Sequence, residues 1–69
     1  MKLKRLIQQF RYENSAVGDA TREITKDEKY LTLQDESKFK DYFRKKLFKK
    51  GMLNGFVELL FVHELINSN

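Results

Sequence analysis

Apolar residues recur at helical spacing along most of the chain, and the breaks between the stripes divide it into four helices. Leu3, Leu6, Ile7 and Phe10 stand at i, i+3, i+4 and i+7, a single stripe on one face. Glu13, Asn14 and Ser15 interrupt it, and Asn14 or Ser15 offers a cap for a second helix over residues 16–28. That helix turns Val17, Ala20 and Ile24 inward, with Gly18 in its first turn, where a glycine is tolerated. Tyr30, Leu31 and Leu33 alternate with polar neighbours, but no second strand is in sight to pair with them. They read as a short extended connection whose apolar side chains plug the core. Asp35 caps a third helix with an inner stripe of Phe39, Tyr42, Phe43 and Leu47, and Gly51 fits its C-terminal stop.

The last helix differs in kind. Asn54 is its expected cap, and between Phe56 and Ile66 only Glu58, His63 and Glu64 are polar. Eight apolar residues in eleven exceed the roughly five that one buried stripe of a peripheral helix accommodates. Such a helix is either central to the bundle or carries a second face for a partner. The other helices offer stripes too narrow to wrap it, so a homodimer or partner complex through this helix is expected, with Phe61 and Val62 as the outward contacts.

Charge adds a second asymmetry. Residues 38–50 hold Lys38, Lys40, Arg44, Lys45, Lys46, Lys49 and Lys50 against the single Asp41, a local +6 in a chain whose total is +4. Lys38, Lys45 and Lys49 fall opposite the inner stripe of the third helix. A basic face of this kind suits a phosphate backbone or an acidic partner, and it equally suits a solvated surface that keeps a small domain soluble.

With 69 residues, the chain makes one domain, 1–69, without room for a separate active-site lobe or a deep cofactor pocket. Six Phe and three Tyr give that small core its bulk. No cysteine is present to form disulfides or to ligate zinc through thiolate, and no apolar run approaches a membrane span; a cytoplasmic, non-membrane protein is expected. His63 is the sole histidine, read as lying on the rim of the apolar helix, with Glu58 and Glu64 poorly aligned to help it hold a metal. Ser15, Ser37 and Ser68 lack the partners of a nucleophilic triad, and Asp27, Glu28, Asp35 and Glu36 sit beside loops where caps and solvated carboxylates belong. Gly51 and Gly55 bracket Met52–Leu53–Asn54 after Lys49 and Lys50, a spacing shared by phosphate-binding helix–hairpin–helix turns and by ordinary interhelical turns.

Phe10, Gly18, Ala20, Glu23, Ile24, Asp27 and Tyr30 follow a pattern of a short helix ending in an aromatic, then a small residue, an A-x-x-I helix, an acidic residue and an aromatic. This resembles the YozE-like family of small proteins from low-GC Gram-positive bacteria, whose fold is similar to a sterile alpha motif (SAM) domain. Tyr42–Phe43, Phe56 and Leu60 look like further core positions of that family. The chain departs from it in having Leu31 where a proline is usual and in a last helix more apolar than the family's acidic, amphipathic one. The resemblance implies a fold and carries over no catalytic residue.

The expectation is therefore an all-α, compact, four-helix SAM-like bundle with an extended connection between its second and third helices. It would be a non-enzymatic binding module without metal, cofactor or small-molecule substrate. Sequence-tolerant nucleic-acid binding would run through Lys38, Arg44, Lys45, Lys46, Lys49 and Lys50. The alternative is a protein-interaction or self-association module using Phe61 and Val62, of the kind phages and mobile elements direct at host partners.

Overall fold

In the computed structural model, which describes residues 1–68, the chain forms five α-helices: α1 Lys2–Phe10, α2 Ala16–Lys26, α3 Lys29–Thr32, α4 Glu36–Lys49 and α5 Leu53–Asn67. No strand occurs among the described residues. Leu3 and Ile7 of α1, Ala20 and Ile24 of α2, Phe39, Phe43 and Leu47 of α4, and Phe56 and Leu59 of α5 are fully enclosed in one core. α1, α2 and α4 thus bury the stripes their spacing predicts, with Phe10 and Tyr42 at the margin of the core, while α5 buries one face of an all-round apolar run. The aromatics meet edge-on or tilted, with ring centroids 4.7 Å apart for Phe39–Phe43 and 4.9 Å for Tyr42–Phe43.

Two of the expected caps form. The Ser15 hydroxyl accepts from the Gly18 N–H at 3.1 Å, and the Asp35 carboxylate accepts from the Lys38 N–H at 3.0 Å. Gly51, at φ 73°, closes α4 in a Schellman turn in which the Met52 N–H reaches Leu47 O at 2.8 Å and the Gly51 N–H reaches Phe48 O at 3.1 Å.

Two glycines are fixed by close approach of backbones. A Cβ at position 18 would lie 1.8 Å from the Glu13 carbonyl oxygen, so the α1–α2 turn can fold back only over a glycine. Arg22 locks that turn by donating from Nη1 to the carbonyls of Arg11 and Glu13, both at 2.9 Å. Gly18 is required here, not merely tolerated. At position 55 a Cβ would lie 2.2 Å from Ala16 O, which lets α5 seat directly on α2, its main packing partner.

Elsewhere in the fold the structure departs from the sequence expectations. Residues 29–32 form a helical turn, α3, in place of an extended connection, because the Leu31, Thr32 and Leu33 amides all find carbonyls three or four residues back. Tyr30 and Leu33 pack against the core, but Leu31 faces solvent at 71% exposure and plugs nothing. The second helix ends at Lys26, since Asp27 turns extended to bring its carboxylate to Tyr42 and Lys46. Asn54 is not the cap of α5: Met52 O already accepts from the Phe56 N–H, so the helix starts ahead of it. His63 is 4% exposed and not on a rim, because it continues the Phe56–Leu59 stripe at i+3 and i+7.

Candidate nucleic-acid interface

The candidate face is built by α4. Its core positions, Phe39, Phe43 and Leu47, fix the rotation of the helix, and the opposite side is then set by the 3.6-residue turn. Lys38, Lys45 and Lys49 stand at i, i+7 and i+11, within about 20° of one line along the helix. All three are exposed, and among the described residues no carboxylate lies within ion-pair distance of any of them.

The other four cations of the segment are engaged. Lys40 reaches Glu36 at 3.7 Å, Arg44 reaches Asp41 at 3.1 Å, Lys46 reaches Asp27 at 2.5 Å and Lys50 reaches Glu23 at 2.9 Å. The last two pairs cross from α4 to α2. Lys45, Lys46, Lys49 and Lys50 line an open groove of about 630 Å³ together with Asp41 and Tyr42.

Asp27 anchors the inner wall of that groove. Its side chain is only 8% exposed and accepts from Lys46 Nζ at 2.5 Å, Tyr42 OH at 2.7 Å and the Lys29 N–H at 2.8 Å. Burial pushes the carboxyl's pKa up, but these three hydrogen bonds and the Lys46 charge outweigh it and hold it at about 2. The same bond raises the Tyr42 phenol, since Asp27 accepts its proton. The hydrogen bond from Lys50 likewise lowers Glu23, against a smaller opposing effect of burial. Asp27 is thus neither a plain cap nor a solvated carboxylate but the tie between the α2 terminus and α4.

A second depression lies on the other flank of the lysine row. Phe48 is 68% exposed at its centre, bordered by Arg44, Lys45, Lys49 and Leu53. Sequence reasoning missed Phe48, although its offset of one from Leu47 places it off the inner stripe and its neighbours are basic.

On α5, Val57, Phe61 and Leu65 are all more than half exposed and form an i, i+4, i+8 stripe, with Ile66 beside it. Phe61 lies outside, as predicted. Val62 does not join it: three residues after Leu59, it borders the buried stripe and packs on the core. His63 lines a cavity of about 260 Å³ with Lys2, Arg5 and Asn67. Its Nε2 lies 2.8 Å from Asn67 Nδ2 and 3.4 Å from Glu36 Oε1, while Nδ1 has no partner.

Both hairpin glycines are accounted for by chain geometry, Gly51 by the Schellman turn and Gly55 by its seat against Ala16, as in an ordinary interhelical turn. Among the described residues no three His, Cys, Asp or Glu side chains are placed to hold a metal ion, and no helix is long and apolar enough to cross a membrane. No family model, no curated protein and no solved structure matches the chain.

Proposed function

We propose that this chain is a non-enzymatic, SAM-like nucleic-acid-binding module that holds the phosphate backbone along the outer face of α4. The observation carrying this reading is the straight row of Lys38, Lys45 and Lys49, free of carboxylates on a helix whose other cations are paired. An ammonium is a point charge, so the row favours backbone contact over base reading. Lys46, Lys50 and Arg44 border the track and turn toward a phosphate only by leaving Asp27, Glu23 and Asp41. The YozE-like resemblance fits the enclosure of Ala20, Ile24, Phe43 and Phe56 and the packing of Phe10, Tyr30, Tyr42 and Leu60 on that core.

Three phosphate contacts give a log–log salt slope of about −3 on duplex DNA and a dissociation constant on the order of 10⁻⁴ to 10⁻⁶ M at physiological salt. An anisotropy titration on duplex and single-stranded DNA at about 50 and 200 mM salt measures both. The double change Lys45→Ala, Lys49→Ala flattens the slope by about two. No binding at the lower salt would remove the proposal.

A second reading rests on a different observation, the exposed Val57, Phe61 and Leu65 stripe of α5. An apolar surface of that continuity belongs against a protein, either a second copy or a partner. Sedimentation over a hundredfold concentration range tests self-association, and a monomer at every concentration excludes the homodimer.

A further inference from the structure

Phe48 stands out among the exposed apolar side chains because cations surround it. Arg44 and Lys45 lie four and three residues before it, the spacing at which side chains are neighbours on a helix, and Lys49 follows it directly. Beyond it the Schellman turn at Gly51 brings Leu53 alongside, closing a depression of about 380 Å³ with an apolar floor and a basic border. An aromatic ring 68% exposed in such a frame forgoes burial that the core would have given it.

We infer that Phe48 is a stacking platform for an unpaired base, and that the nucleic acid taken by α4 is single-stranded. This rests on the phosphate-binding reading of the Lys38, Lys45 and Lys49 row. The ring flanks that row, so a strand with its phosphates on the lysines carries its bases over the Phe48 face. Every base has a π-face, which makes stacking tolerant of sequence and matches the point-charge contacts beside it. In a duplex the base faces are stacked on one another and cannot reach the ring, so only a single strand gains from it. Tyr42, the other aromatic beside the row, is committed to Asp27 and leaves Phe48 as the available platform. An acidic protein segment would satisfy the cations but would not depend on the aromatic face.

The test uses anisotropy with an oligothymidylate of roughly twelve nucleotides and a duplex of equal length, at about 50 mM salt. The protein binds the single strand more tightly than the duplex. Phe48→Ala weakens single-strand binding by about 5- to 100-fold and leaves duplex binding within about twofold, as expected for the loss of one stacked base. Phe48→Leu, which keeps the apolar bulk but not the ring, weakens it comparably. Phe48→Trp retains affinity, and its fluorescence is quenched on adding the oligonucleotide. The circular-dichroism melts of all three match the parent, since the side chain is exposed. Equal binding of single strand and duplex, or an unaffected Phe48→Leu, would overturn the stacking role. If Lys45→Ala with Lys49→Ala still weakened both ligands, the backbone reading would stand alone. Failure of the parent protein to bind either ligand would remove both.

Discussion

The two C-terminal helices solve opposite problems with similar lengths. α4 divides cleanly: Phe39, Phe43 and Leu47 inside, a lysine row outside, and cross-links to α2 on one flank. α5 has no polar face. Its inner stripe of Phe56, Leu59 and His63 is buried in the bundle, while Val57, Phe61, Leu65 and Ile66 stay in water. The difference lies in how each helix is held. α4 is bulky inside and tied outside by ions, so its rotation is fixed twice. α5 is seated by the absence of a side chain at Gly55 and by its packing, with His63 Nε2, 3.4 Å from Glu36 Oε1, as its ion-pair-range contact with another helix among the described residues.

The inner faces are the most sensitive to change. Phe43→Ala removes a fully enclosed ring and costs about 3–5 kcal/mol. A domain of this size has a total stability of about 3–10 kcal/mol, so urea unfolding should show a protein at or past the edge of folding. On α5 the corresponding break is an addition. Gly55→Ala forces a methyl into the Ala16 carbonyl and costs about 3 kcal/mol, the upper end of overpacking, because backbone has to move. Without that close approach Gly55→Ala would stabilise, as alanine does within a helix.

The ionic tie of α4 is next in size. Asp27 titrates at about 2 in the folded protein against 3.8 in an ordinary setting. A lowered folded value means that the stabilisation is complete above pH about 4 and is lost as the pH falls through about 2. The amount is about 2 kcal/mol. Acid titration of the thermal midpoint should show this fall in the parent protein and lose most of it in Asp27→Asn, which keeps a hydrogen-bond acceptor for Tyr42.

The outer faces separate function from stability. Phe61→Lys should leave the unfolding midpoint within about 0.5 kcal/mol and lower any self-association seen by light scattering. Lys45→Ala with Lys49→Ala should be equally silent toward urea. Its effect belongs in the salt slope of nucleic-acid binding.

Much of this was legible in the residues themselves. Helical spacing located four helices and the nine apolar core side chains of α1, α2 and α4, because a core must bury whichever stripe a helix offers; in the all-round apolar α5 it did not single out Phe56 and Leu59. Ser15, Asp35 and Gly51 marked helix ends through local backbone chemistry alone. The surplus of apolar residues on α5 was countable, and of the two side chains expected outside, Phe61 is exposed while Val62 packs on the core.

What the sequence alone left open were the relations between distant segments. The +6 of residues 38–50 is a property of composition, but its division into three free lysines and four paired cations depends on Asp27 and Glu23 arriving from α2 and on pairing with Glu36 and Asp41. The need for glycine at positions 18 and 55 comes from carbonyls of Glu13 and Ala16 that no local pattern places there. Residues 29–33 alternate like a strand and fold as a turn of helix, because the short chain between α2 and α4 finds its hydrogen bonds within itself. Periodicity sets which face of each helix turns inward; only packing sets which charges and backbones then meet, because electrostatic and steric terms act over a few ångströms between residues far apart in the chain.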